Sequence, residues 1–106
     1  MSLDRERRRT PRLSAQVPMA VRWTDRSGQT QEEQTQTEVL SGHGALIRLK
    51  NAVELGEEIE LQNLENQEQA RAQVIWASEH SPEHGQRVGI EFLTPKAAFW
   101  GKDYPF

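Results

Sequence analysis

Five arginines near the amino terminus are the first residues in this sequence whose type and spacing suggest a chemistry. They are Arg5, Arg7, Arg8, Arg9 and Arg12. Pro11 biases the residue before it to an extended backbone, so the cluster is not the charged face of a helix. A guanidinium group is planar, always charged and forked, which suits phosphate oxygens or the edge of a guanine. The cluster predicts a basic arm that binds an anionic ligand, with a solvated tail as the alternative interpretation.

The run Ser41-Gly42-His43-Gly44 is the second candidate, and it lies between two apolar stretches. Glycine permits tight bends and lets a ligand approach the backbone closely. A Ser hydroxyl together with successive backbone amides can hydrogen-bond a phosphate or a base. The run predicts a ligand-binding bend, and an ordinary hairpin turn is the alternative.

The string His80-Ser-Pro-Glu-His84 matches the H-x-x-E-H pattern of some zinc proteases. Such a site needs both histidines on one helix, and Pro82 would lie in the interior of that helix. We therefore predict a solvated turn with no metal. The chain has no Cys, which excludes disulfides, thiolate zinc sites and a cysteine nucleophile. Because no catalytic dyad is evident, we expect a binding protein without a cofactor rather than an enzyme.

Length and charge restrict the class of protein. A chain of 106 residues fits one domain, and no apolar run approaches the roughly 18 residues of a membrane helix. Residues 1–12 carry a charge of +3, whereas the rest of the chain carries −6. An acidic body would repel a phosphate backbone, so we expect no nucleic acid polymer as partner. We expect a soluble, cytoplasmic protein that does not insert into a membrane.

Alternation of apolar and polar residues predicts the elements that must position these candidates. It predicts strands at 17–23, 45–49, 57–61, 70–76 and 87–92, and a loop from Gln29 to Glu38 that leads into a Thr-rich strand. Short strands joined by turns favour an all-β fold, and a small antiparallel barrel removes exposed edges. We divide the chain into a basic N-terminal arm (1–12), a β-barrel (13–95) and a short C-terminal helix with an aromatic tail (96–106).

The three tryptophans have two possible roles, as core residues or as flat surfaces on which a base could stack. Trp23 and Trp76 fall on the inward phase of their strands, which favours packing in the core. Trp100 belongs to an apolar tail that either plugs the barrel or offers a docking patch for a partner chain. We favour the plug, because so small a core needs the additional buried area.

Taken together, the motifs resemble those of the PilZ domain family. Arg8-x-x-x-Arg12 precedes a strand, Ser41-x-x-Gly44 follows about 30 residues later, and Arg87-Val-Gly-Ile-x-Phe92 closes the series. The resemblance runs from about Arg7 to Phe92. It implies a six-stranded antiparallel barrel that binds cyclic di-GMP, a bacterial second messenger. In that family the arginine motif lies on a flexible N-terminal arm that folds over the ligand, and a D/N-x-S-x-x-G motif holds a guanine.

The resemblance implies a ligand site and also shows one departure from the family pattern. The implied ligand-binding residues are Arg8, Arg9, Arg12, Ser41, Gly42, His43 and Gly44. Val39 stands where the motif has Asp or Asn, and its side chain cannot accept a hydrogen bond from guanine. Leaving a polar ligand group unpaired costs about 1–3 kcal/mol.

Two functions follow from this combination of motifs. The chain is a cyclic di-GMP receptor that signals to a protein partner when its arm becomes ordered, or a degenerate PilZ domain that acts as a protein–protein adaptor without the nucleotide. A third and weaker alternative is an oligonucleotide-binding barrel. It would need basic strand faces, but Arg22, Arg48 and Arg71 are outnumbered by glutamates there.

Overall fold

The computed structural model describes residues 12–104 and Phe106. Arg8 and Arg9, which the sequence assigns to the ligand site, lie outside the described residues. The described part of the chain contains seven strands and one 3-10 turn. They are β1 (Arg12–Ser14), β2 (Pro18–Thr24), β3 (Thr30–Ser41), β4 (Gly44–Leu49), β5 (Glu58–Asn63), β6 (Gln69–Ala77), β7 (Gln86–Phe92) and the 3-10 turn Ala97–Trp100.

Six of these strands close into an antiparallel barrel. The order of neighbours is β3-β2-β5-β6-β7-β4, and β4 pairs back with β3. The prediction of a small all-β antiparallel barrel is therefore confirmed. β1 is a short additional strand, and it pairs with the last three residues of β3, beyond the stretch that pairs with β2.

The core consists of alternate residues from the barrel strands. On β2 the residues Met19, Val21 and Trp23 are buried while their neighbours are not, and Ile59 and Leu61 repeat this pattern on β5. The predicted inward position of Trp23 is confirmed, with 4% of its surface exposed. The spacing of two follows from the strand geometry, which turns successive side chains to opposite faces.

The C-terminal segment packs against this core. Phe99 and Trp100 are buried, and their rings lie in an edge-on contact with centroids 4.8 Å apart. The helix predicted within 96–106 is a single 3-10 turn, which ends at Gly101 with a φ of 89°. Phe99 and Trp100 thus belong to the core cluster, and Tyr104 and Phe106 pack against it partly buried. No helix in the described part of the chain is long and apolar enough to cross a membrane.

The prediction of a loop from Gln29 to Glu38 is wrong, because β3 already begins at Thr30. This half of β3 has no apolar residue, yet its backbone pairs with β2 along the whole hairpin. The turn before it is held by Asp25, whose carboxylate accepts hydrogen bonds from the backbone amides of Ser27 and Gln29 at 2.9 and 3.0 Å. Backbone pairing and turn chemistry therefore form a strand that hydrophobic periodicity does not reveal.

The predicted inward position of Trp76 is also wrong. Val74 pairs with Ile90 but Trp76 pairs with Gly89, so Ile75 is an extra residue on β6. Such a β-bulge shifts the alternation by one position and turns the following side chain to the other face. Trp76 is consequently 47% exposed, on the outside of the barrel.

Candidate functional site

The strand register places the predicted bend on the outer face of the barrel, beside the first residue of the described chain. Cα pairing aligns two rows of residues across β1, β3, β4 and β7, and side chains two apart on a strand share a face. The first row contains Arg12, Ser41, Gly44 and Glu91. The second row contains Ser14, Val39, Leu46 and Gly89, and the β6 bulge adds Trp76 to its end.

A depression of about 570 Å³ lies over these two rows. Its lining residues come from five strands and the bend, and they are Arg12, Val39, Leu40, Ser41, His43, Gly44, Ala45, Leu46, Ile75, Trp76, Gly89, Ile90 and Glu91. The structure thus brings together four of the predicted site residues, namely Arg12, Ser41, His43 and Gly44. Gly42, which lies in the same bend, is not part of the lining.

Gly44 has a steric role in this depression. A Cβ atom at this position would lie 1.9 Å from the carbonyl oxygen of Ile90, so no side chain fits between β4 and β7. Gly89 is less restricted, since its Cβ would lie 3.3 Å from the Cβ of Trp76. The glycine of the predicted motif is therefore needed for strand packing, in addition to any contact with a ligand.

The bend is held by the side chain of Ser41. Its Oγ accepts hydrogen bonds from the backbone amides of His43 at 3.2 Å and Gly44 at 3.1 Å. The sequence suggested these successive amides as donors to a phosphate, but in the structure both are occupied by Ser41. The bend is also tied to its surroundings, because the amide of Phe92 donates to the carbonyl of His43 at 2.8 Å. The loop is thus a preformed wall of the depression.

Arg12 is the described member of the predicted arginine cluster. It is the first residue of β1, pairs with Ser41, and is exposed. A short strand therefore carries the end of the basic arm to the edge of the depression. Arg12 therefore lies beside the bend, where the sequence predicts a cation.

Trp76 and Glu91 also line the depression, and sequence reasoning did not assign either to the site. Trp76 was missed because the bulge at Ile75 is invisible to a strict alternation of two. The sequence does hold one signal, the adjacent apolar pair Ile75-Trp76, since both cannot face inward on a regular strand. Glu91 was missed because an exposed carboxylate on a strand is ordinarily solvated.

The first row of residues in the depression has a charge at each end. Arg12 and Glu91 occupy opposite ends of the first row and are separated by three strand spacings, about 14 Å along the sheet. Between them lie Gly44 and the apolar side chains of Val39 and Leu46, and Trp76 lies on β6, the strand beyond Glu91. This arrangement suits a ligand with an anionic part, a flat apolar part and hydrogen-bond donors.

The described residues contain no group of three or more His, Asp or Glu side chains that could hold a metal ion. The segment from His80 to His84 is a turn closed by a bridge between Ser81 and Gly85, as predicted. A second depression of about 490 Å³ lies on the outer face of β2, β5 and β6. It contains none of the predicted site residues.

Comparison with known proteins gives a family match and a fold match. The family model described as PilZ domain matches residues 6–98. The chain is similar to the Bacillus subtilis inhibitor of motility (MotI/DgrA), with a TM-score of 0.64, 17% identity and coverage of 85% of this chain and 44% of that chain. The PilZ domain of Escherichia coli YcgR, solved with c-di-GMP, gives a TM-score of 0.60, 22% identity and coverage of 82% and 78%.

The chain spans less than half the length of MotI/DgrA. No curated protein matches it significantly in sequence. At identities of 17% and 22%, the two structural likenesses show the fold alone.

Proposed function

The chain belongs to the PilZ domain family, and from that membership we propose that it is a receptor for cyclic di-GMP. The observation that supports this most directly is the shared depression of Arg12, the Ser41–Gly44 bend and Trp76. Two motifs that lie far apart in sequence thus meet around one concave surface. A site of this kind binds and releases a ligand without changing it chemically.

Different residues of the depression contact different parts of the ligand. Arg12, with Arg8 and Arg9 from the preceding segment, pairs with the phosphates, because guanidinium groups bind phosphate oxygens through charged hydrogen bonds. Trp76 offers an exposed indole on which a guanine can stack, and such stacking contributes about 1–3 kcal/mol per base. The preformed Ser41–Gly44 bend restricts the orientations in which the ligand can bind.

The charge distribution makes the arm the electrostatic component of the site. Outside residues 1–12 the chain carries −6, so the barrel alone would repel a doubly anionic ligand. The arm, residues 1–12, carries +3, and its last residue, Arg12, lines the depression. Ligand binding therefore orders the arm over the barrel and creates a new surface for a protein partner. Because the ligand is a bacterial second messenger, we place this receptor in the bacterial cytoplasm.

A second candidate function is supported by Val39. This residue lines the depression together with Leu46 and Ile75, and none of the three side chains forms hydrogen bonds. A depression with so apolar a wall also suits a degenerate domain that binds a protein partner without the nucleotide. The PilZ fold is common to both functions, so affinity for the nucleotide distinguishes them.

Titration calorimetry of the purified chain with cyclic di-GMP at low salt tests the proposal, with cyclic di-AMP and GTP as controls. We expect saturable binding of cyclic di-GMP at micromolar or tighter affinity. The Arg8→Ala/Arg12→Ala double variant should lose binding and keep the apo melting temperature. The matched control is Arg22→Ala/Arg71→Ala, which removes the same charge from exposed ion pairs at the second depression. No heat of binding at high protein concentration would favour the adaptor function.

A further inference from the structure

Glu91 on β7 is the one carboxylate among the residues that line the depression. Its side chain is exposed and lies in the row that contains Arg12, Ser41 and Gly44. The ion pairs of the described residues involve other acidic side chains, namely Glu32, Glu38, Glu54, Glu58 and Glu83. Within residues 12–104, Glu91 thus has no ion-pair partner, although it lies in a proposed anion-binding site.

The position of Glu91 separates it from the phosphate-binding end. Arg12 and Glu91 are three strands apart, about 14 Å along the sheet. At physiological ionic strength, where the Debye length is about 8 Å, solvent and salt screen most of the repulsion between Glu91 and a phosphate held by Arg12. The end of the ligand that reaches Glu91 is therefore a different group from the one that reaches Arg12.

Guanine has the chemistry that fits this end. Its Watson–Crick edge presents two adjacent donors, N1–H and the N2 amino group, and a carboxylate presents two acceptor oxygens at a matching spacing. Adenine presents an acceptor, N1, next to its amino group, and that lone pair would face the carboxylate. Val39 and Leu46 have no acceptor, the Ser41 hydroxyl already holds the bend, and the imidazole of His43 offers at most one acceptor nitrogen for the two donors.

We propose that Glu91 is the specificity residue of the site and accepts hydrogen bonds from the Watson–Crick edge of one guanine. The assignment rests on the proposed binding of cyclic di-GMP and names the residue that selects its base. It also accounts for a guanine site in which Val39 supplies no acceptor. The selectivity for guanine over adenine or hypoxanthine thus resides on β7, at the residue that pairs with Gly44 of the bend.

A thermodynamic cycle between the protein and the ligand tests this assignment. Wild type, Glu91→Gln and Glu91→Ala are titrated with cyclic di-GMP and with cyclic di-IMP, whose bases lack the N2 amino group. Glu60→Gln is the matched control, because Glu60 is an exposed strand carboxylate at the second depression. Melting temperatures of all variants confirm that they are folded.

We expect Glu91→Ala to weaken cyclic di-GMP binding roughly 10- to 150-fold, the usual effect of losing hydrogen bonds to a charged group. The preference of the wild type for cyclic di-GMP over cyclic di-IMP should disappear in this variant, whereas Glu60→Gln should keep it. If Glu91→Ala binds both ligands more tightly, Glu91 only repels phosphate and the assignment is wrong. If the wild type binds neither dinucleotide, the proposed function fails, and the assignment fails with it.

Discussion

The indole Nε1 of Trp100 donates a hydrogen bond of 2.8 Å to the backbone carbonyl of Ser41. A residue of the C-terminal turn thus holds the first residue of the bend that lines the depression. Trp100 is buried and packs against Phe92 and Phe99, so its ring cannot move away without disturbing the core. The aromatic tail therefore stabilises the barrel and also fixes one wall of the candidate site.

Trp100→Phe should lower both stability and ligand affinity. The substitution keeps an aromatic ring but removes the N–H, and an unmatched polar group costs about 1–3 kcal/mol. The free energy of unfolding is measured in urea, and cyclic di-GMP affinity by calorimetry. Trp23→Phe is the control, because it loses similar buried volume away from the bend. Equal loss of affinity in both variants would show that Trp100 acts through global stability alone.

Thr37→Val should loosen the attachment of β1. The Thr37 hydroxyl accepts a hydrogen bond from the amide of Val17 at 2.8 Å and donates one to the carbonyl of Ala15 at 2.7 Å, both in the link between β1 and β2. Without it the buried amide of Val17 loses its side-chain partner, at a cost of about 1–3 kcal/mol. Hydrogen exchange at Leu13 should accelerate in Thr37→Val and stay near the wild-type rate in Thr37→Ser. Unchanged exchange in Thr37→Val would contradict this role.

Trp76→Ala should weaken cyclic di-GMP binding roughly 5- to 150-fold, in line with the loss of one stacked base. Stability should change little, because the side chain is half exposed. The other two tryptophans, Trp23 and Trp100, are buried, so the fluorescence response to the ligand should arise mainly from Trp76. A ligand-induced fluorescence change that persists in Trp76→Phe would argue against contact at this position.

Asp25 should make stability depend on pH in the acid range. Hydrogen bonds from the side chains of Ser27 and Gln31 and from the amide of Gln29 lower the pKa of Asp25 to about 2. Because the folded state lowers this pKa, the stabilisation is present above about pH 4 and is lost as the pH falls through 2. The urea midpoint should fall between pH 4 and 2 by more in wild type than in Asp25→Asn. Asp103→Asn is the control, and an Asp25→Asn variant with the full wild-type decline would contradict this.

Particular residues show how far the sequence predicts this fold. The strands with apolar alternation, such as that of Met19, Val21 and Trp23, were predicted because one face of each strand must be buried. The polar half of β3 was not, because its backbone pairing leaves no hydrophobic pattern. Trp76 was misplaced because a single inserted residue, Ile75, reverses the phase of the strand.

The sequence predicts which motifs form the candidate site but not how they are arranged in space. The arginine cluster and the Ser41–Gly44 bend carry a recognisable chemistry in the sequence itself. Their alignment across β1, β3 and β4 depends on long-range register, which no local pattern contains. Glu91 enters the site by that register alone, because nothing in its sequence neighbourhood distinguishes it from other exposed glutamates.

A map of backbone and indole NMR shifts during titration with cyclic di-GMP tests the central claim most directly. We expect the largest shifts at Ser41, Gly44, Gly89, Glu91 and the indole of Trp76. The second depression, which includes Ala20 and Gln62, provides an internal control and should remain unchanged. Shifts centred on that second depression, or no shifts at saturating ligand, would contradict the claim that this face of the barrel binds the nucleotide.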